Sequence, residues 1–282
     1  MESESAAFYV LAHATVATLY LLMAAITWRA LQADEPSRWV QWRRWLIPFI
    51  AAGHLVLLFH AVLGTGEFRF GFAHALSATL LMAVVIVWVE GFFVPMRSLD
   101  MLVLPAAALS VVLPALFHGA AISAAADTGV LRVHLIMAMC AYSFLTIAAL
   151  HALLMASVDR QLHAALGAPD RVSSRWLTQM PPLLAMERML FRLIASGFVL
   201  LTLTLVSGVF FSEALFGRAL RFDHKTVFTI ASWFVFAGLL AGRFVFGWRG
   251  RKALRWTLAG FLMLMLAYVG SRFVLEVILH KT

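Results

Sequence analysis

The chain of 282 residues has 63% hydrophobic and only 13% charged side chains, whereas a soluble domain has roughly 45–50% apolar and about 25% charged residues. This composition excludes a soluble globular protein and indicates an integral membrane protein. In a soluble protein, a net charge of +8 would suggest nucleic acid as a partner. In a membrane protein, the basic residues are instead expected to gather on one side of the bilayer, so no nucleic-acid partner is expected.

Eight apolar runs are long enough to cross a membrane, since a hydrocarbon core of about 30 Å takes roughly 20 helical residues. They lie near 7–30, 45–64, 72–93, 99–117, 133–157, 193–212, 226–246 and 256–279. We therefore predict an all-α integral membrane protein, a single polytopic domain over residues 1–282 embedded in the lipid bilayer. The acidic start, MESESAAFYV, lacks a basic stretch and an evident cleavage site, which predicts an uncleaved first helix and not a signal peptide.

Basic residues gather in alternate connections between these runs. The segments 29–44, 158–192 and 243–255, together with Arg97, hold fifteen of the 22 Lys and Arg residues. The positive-inside rule assigns these segments to the cytoplasm, which predicts that both termini face outward. The segment 158–192 combines a Gly-Ala-Pro-Asp turn, a Pro-Pro break and an amphipathic tail, so it is expected to lie along the membrane surface.

Cysteine chemistry is largely excluded. Cys140 is the only cysteine and lies in the middle of the fifth predicted helix. The chain therefore has no intramolecular disulfide, no CxxC redox pair and no CxxCH motif for covalent haem attachment.

Seven of the ten histidines fall in the outward parts of the predicted topology. They are His13, His60, His74, His118, His134, His224 and His280. One interpretation is ordinary, because an imidazole at the membrane boundary can reach water or a backbone carbonyl. The other is functional, because imidazoles from different helices at one depth can supply both axial ligands of a haem iron. His134 at the start of the fifth helix and His280 at the end of the eighth are the candidates for such a pair.

The run from Met186 to Arg243 resembles the core of the cytochrome c assembly proteins of the CcsA/CcmC/CcmF type, which handle haem. Three stretches align without a gap to that family's patterns "GFPLLTxGIxxG", "WGxxWxWDPKE" and "ITWLxYxxYLH". They are GFVLLTLTLVSG (197–208), FGRALRFDHK (216–225) and ASWFVFAGLLA (231–241). The resemblance covers residues 130–282 well and the first four helices only in general character. The stretches PPLLAMERMLFRLI and GWRGRKALRWTLAGF most resemble the YpjD-like inner-membrane branch of the family.

The resemblance implies a set of site residues. VHLIMAMCAYSF from residue 133 and AYVGSRFVLEVILH (267–280) are similar to the family helices that carry the two outward haem-ligating histidines, which assigns that role to His134 and, with a shift of one residue, to His280. The implied cofactor is non-covalent haem b, delivered to an apocytochrome or another assembly subunit in the bacterial inner membrane, with both termini periplasmic and without bond-making catalysis. The lining that the resemblance implies is Phe216, Arg218, Arg221, Phe222, Asp223 and His224.

Alternatives remain open for several of these residues. Arg218 and Arg221 suit haem propionates, because Arg pairs with carboxylates in a bidentate fashion, but interfacial anchoring explains them equally well. Asp223 is also a natural N-cap for the seventh helix.

The chain also departs from the family pattern. The three tryptophans of the haem-facing segment are replaced by Phe216, Leu220 and Phe222, the proline after the aspartate by His224, and the histidine of the following helix by Ala241. These changes imply weak or transient haem occupancy.

Two other functions compete with haem handling. A membrane scaffold or transport accessory that kept the family fold and lost haem is favoured by Leu220 and Ala241. An electron-transfer cytochrome b would need ligands near the midplane, for which His54 and His151 are the candidates.

Overall fold

Long apolar helices dominate the computed structural model, which describes residues 2–32, 38–64, 68–92, 97–121, 129–167, 180–216, 224–274 and 278. Within these residues, eight helical segments are long and apolar enough to cross a membrane, which confirms the predicted eight-helix fold class. In lipid, a helix satisfies its own backbone hydrogen bonds, so apolar runs of this length adopt that structure.

The helices are bounded as follows: α1 Glu2–Gln32, α2 Arg38–Leu63, α3 Phe72–Glu90, α4 Arg97–Leu116, α5 Gly129–Gly167, α6 Leu183–Phe216, α7 His224–Phe246 and α8 Gly250–Met265. A π-helical turn, Leu266–Gly270, and a short helix α9, Ser271–Phe273, continue α8. The two largest differences from the sequence-based bounds are in neighbouring helices. The fifth helix continues ten residues beyond the predicted 157, and the sixth begins ten residues before the predicted 193.

Helices α1, α3, α5 and α7 all start at the same end of the bundle. There β1 (Arg69–Phe70) pairs antiparallel with β2 (Ala120–Ala121), which joins the α2–α3 and α4–α5 connections. The Tyr9 and His60 rings lie 5.6 Å apart, and the Phe72 and Phe273 rings 5.5 Å apart. We call this the histidine end.

The opposite end holds ion pairs between arginines and the carboxylates of Glu187, which is buried, and Glu90, which is half-buried. Arg243 Nη1 lies 2.6 Å from Glu187 Oε1, Arg192 pairs with Glu90, and the Trp88 indole N–H donates to the Arg44 carbonyl at 2.9 Å. We call this the arginine end.

Helix α5 lies at the centre, against α3, α4, α6 and α8. Its contact with α6 is close because Gly197 has no side chain: a Cβ there would lie 2.7 Å from Leu145 Cγ. Small residues let helix backbones approach in this way in membranes. Hydroxyl groups also link α5 to its neighbours. Tyr142 donates to the Leu264 carbonyl at 2.9 Å, and the Ser143 hydroxyl lies 2.9 Å from the Thr79 carbonyl of α3 and 2.6 Å from the Met139 carbonyl of its own helix.

Candidate functional site

The best-defined part of the site is His134, in the second turn of α5 at the histidine end. Its imidazole is half-buried, and its Nδ1 lies 2.8 Å from the hydroxyl of Ser207 near the end of α6. The Ser207 hydroxyl in turn donates to the Thr204 carbonyl at 3.0 Å. A fixed chain of three groups therefore runs from the α6 backbone to the imidazole.

The direction of the bond between Ser207 and His134 depends on the imidazole tautomer. A hydroxyl has one hydrogen to donate. When Ser207 donates it to the Thr204 carbonyl, Ser207 accepts from His134 Nδ1, and the lone pair of the imidazole is then on Nε2. Metal-binding histidines are held in the same way, by a hydrogen bond from the other ring nitrogen. The chemistry of His134 thus fits an axial ligand of a haem iron.

Gly208 keeps the space beside His134 open. A Cβ at this position would lie 3.3 Å from His134 Cε1, which is tighter than an ordinary van der Waals contact. Ser207 and Gly208 therefore act together, one orienting the imidazole and the other leaving room for it. Sequence reasoning did not identify Ser207 as a site residue, although it lies in the stretch LVSG that carries the family resemblance.

Two of the remaining predicted site residues lie at the two ends of the connection between α6 and α7. Phe216 is the last residue of α6, and His224 is the first residue of α7 and is exposed. The other predicted site residues lie outside the described residues: Arg218, Arg221, Phe222, Asp223 and His280. Next to His224, the Lys225 ammonium lies 5.6 Å from the centre of the Tyr268 ring. The start of α7 thereby faces the π-helical turn that continues α8.

His74 forms a second histidine environment at the same end. It is fully buried, and neither ring nitrogen makes a hydrogen bond of ordinary geometry to the described part of the chain. Gly119, with φ of 65°, closes the turn before β2, and a Cβ there would lie 3.1 Å from the His74 ring. Sequence analysis assigned His74 to the outward group without singling it out.

Both midplane histidines are hydrogen-bonded to residues of neighbouring helices. His54 bonds to the Tyr20 hydroxyl at 3.3 Å and to the Ser77 hydroxyl at 2.8 Å. His151 Nε2 lies 2.9 Å from the Met186 carbonyl. These contacts fix the two imidazoles to different helices, α1 and α3 for the first and α6 for the second. A structural role accounts for both.

Among the described residues, no group of three or more His, Cys, Asp and Glu side chains could hold a metal ion.

The fold and this site define the class of the molecule: a multi-pass helical membrane protein with an oriented imidazole at one end of the bundle. The family described as Cytochrome C assembly protein matches residues 42–279. The chain belongs to this family, and the resemblance found in the sequence is confirmed.

Two kinds of curated relative match parts of the chain. Inner membrane protein YpjD of Escherichia coli (strain K12) is 40% identical over 146 residues, which is 52% of each chain. Cytochrome c biogenesis protein CcsA of Gloeobacter violaceus is 29% identical over 91 residues, 32% of this chain and 27% of the relative. The chain spans about half the length of the curated YpjD relatives it matches. The YpjD match agrees with the branch that the sequence most resembles.

Proposed function

We propose that this protein binds haem at the histidine end and hands it to a cytochrome assembly partner. The observation that carries the proposal is the Thr204–Ser207–His134 chain, which holds the His134 imidazole in place through Nδ1. Membership of the cytochrome c assembly family supports haem as the ligand. The name of the CcsA relative refers to cytochrome c biogenesis.

In this proposal His134 and His280 are the two axial ligands of a non-covalent haem b. The implied lining is completed by Phe216, Arg218, Arg221, Phe222, Asp223 and His224, with the two arginines on the propionates. Bound haem supplies the iron and the macrocycle that an acceptor requires. The protein's own residues bind it, orient it and release it, and no bond is made or broken.

The cellular setting follows from the same reasoning. We place the protein in the bacterial inner membrane, with both termini in the periplasm and the arginine end in the cytoplasm, because basic connections stay inside. Residues 130–282 form the haem-handling core of a single membrane domain. An apocytochrome or another assembly subunit would accept the haem.

A second function, a scaffold or transport accessory without haem, is favoured by the replacements at Leu220 and Ala241. In that case, changing His134 and His280 would leave every phenotype of the protein unaltered, whereas changes in the segment 158–192 would not.

The decisive experiment compares wild type with a His134→Ala/His280→Ala double variant, both purified in mild detergent from haem-supplemented cells. We expect a Soret band and a pyridine haemochrome signal in the wild type and their loss in the double variant. The matched control is His163→Ala, at an exposed histidine of the arginine end that bonds to Asp159. It should keep the wild-type haem content. Absence of haem from the folded wild type, even after haemin is added, would refute haem handling.

A further inference from the structure

An apolar cavity of about 690 Å³ lies between α2, α3 and α5, beside β1. Its wall includes Ile47 and Leu58 from α2, Ala78 and Trp88 from α3, and Met139 from α5. Volumes of roughly 300–1,000 Å³ are usual for small-molecule sites. Neither His134 nor any other described histidine lines this cavity, so it is separate from the proposed haem site.

The cavity opens sideways, toward the lipid. Leu55 on α2 and Ile136 on α5 both line it and are 56% and 60% exposed. The lining extends from Phe70 and Arg132 at the histidine end to Ile47 on α2 and Trp88 on α3, toward the arginine end. The cavity is therefore an elongated trough that follows the helix axes, a shape that suits a hydrocarbon chain.

One charged side chain is among the described residues that line the cavity. Arg132, in the first turn of α5, is the single charged residue among the described lining residues, and it is exposed at the histidine end. A guanidinium offers five N–H donors and pairs with phosphate in a bidentate fashion. The cavity thus combines an apolar trough with a cation at the level of a lipid headgroup.

The polar groups of the wall disfavour a quinone as the occupant. The Trp88 indole N–H already donates to the Arg44 carbonyl at 2.9 Å. The Thr79 hydroxyl, behind the wall, donates to Met139 Sδ at 3.6 Å. A quinone head would need donors for carbonyl oxygens inside the trough, whereas a hydrocarbon chain needs none.

We propose that this cavity is a binding site for one anionic phospholipid, with an acyl chain in the trough between α2, α3 and α5 and the phosphate on Arg132. A lipid held there would support the start of α5, two residues before His134. The inference goes beyond haem handling and does not depend on it.

The test uses the full-length protein in mixed micelles with equimolar phosphatidylglycerol and phosphatidylcholine of identical acyl chains, followed by native mass spectrometry. We expect one retained phosphatidylglycerol per chain. Ala78→Phe and, separately, Ala52→Phe fill the trough from opposite walls and should reduce retention at least fivefold. The control Ala195→Phe adds the same ring at an exposed position of α6 outside the cavity and should retain the lipid.

The headgroup is tested by Arg132→Gln, with Arg255→Gln, an exposed arginine of α8, as the charge-matched control. Arg132→Gln should lower the preference for phosphatidylglycerol about fivefold, the factor that ~1 kcal/mol per basic residue near anionic lipid represents. Equal retention in Ala52→Phe and Ala195→Phe, or an unchanged preference in Arg132→Gln, would overturn the proposal. Haemochrome content, measured on the same samples, reports separately on the haem site.

Discussion

The two ends of the bundle use polar side chains in opposite ways. At the arginine end, the buried Glu187 pairs with Arg243 at 2.6 Å and with Arg249 at 3.4 Å, so the charges are bound to one another. At the histidine end, His134 bonds to the neutral Ser207 hydroxyl, and His74 is buried without a hydrogen bond of ordinary geometry to the residues that the structure describes. The first arrangement joins helices through paired charges, and the second positions imidazoles.

Electrostatics explains the division. A buried ion pair compensates a large desolvation cost only when both charges stay together, so it cannot be opened cheaply for a ligand. A neutral imidazole is far less costly to bury and can still coordinate a metal. Stability is therefore expected to depend on the arginine end and haem binding on the histidine end.

The largest predicted effect is on stability, from Glu187→Gln. Removing this carboxylate leaves Arg243, whose side chain is 20% exposed, without its close partner, and breaking a buried pair costs about 3–5 kcal/mol. We expect the free energy of unfolding in detergent to fall by about 3 kcal/mol. The control is Asp159→Asn, whose partners Arg251 and His163 are 75% and 69% exposed and lie at 3.8 and 3.4 Å. The loss of these exposed pairs should cost less than about 1 kcal/mol.

The haem content of folded Glu187→Gln should match that of the wild type. If Asp159→Asn were as damaging as Glu187→Gln, or if Glu187→Gln removed haem from folded protein, the division between the two ends would be wrong.

An intermediate effect is predicted for Ser207→Ala, at the other end. The substitution removes the hydroxyl that bonds to His134 Nδ1, and losing such a partner typically weakens metal binding about 10–100-fold. Haemin titration should show this loss while the thermal midpoint barely moves. Ser157→Ala removes a comparable half-buried hydroxyl, which donates to the Leu154 carbonyl at 2.7 Å, and serves as the control. Equal haemin affinities of the two variants would exclude a role for Ser207 in orienting His134.

The smallest effect concerns the middle of the bundle, which belongs to neither end. Tyr142→Phe removes the bond to the Leu264 carbonyl, and a single hydrogen bond of this kind contributes about 0.5–1.5 kcal/mol. Unfolding should be easier by about that amount, with haem affinity unchanged. A strong loss of haem would indicate that the α5–α8 contact helps to form the site.

Particular residues illustrate what could be read from the sequence. The eight spans follow from apolar runs, because each helix satisfies its backbone within its own segment. His134 was predicted as a haem ligand from the outward grouping of the histidines and from the family resemblance. Ser207 was missed, because a serine in an apolar helix has no periodic signal of its own and its partner is 73 residues away along the chain. The pairing of β1 with β2 was missed as well, since a two-residue strand leaves no alternating pattern.

By itself, the sequence determined that the protein has eight membrane-spanning helices, because length and hydropathy act locally along each segment. Its motifs also identified the cytochrome c assembly family. Only the tertiary structure decided that Ser207 orients His134, that Glu187 gathers two arginines, and that α2, α3 and α5 leave a trough ending at Arg132. These features depend on which faces of distant helices meet. Helix faces in a membrane are matched by shape and by a few hydrogen bonds, which hydropathy does not record.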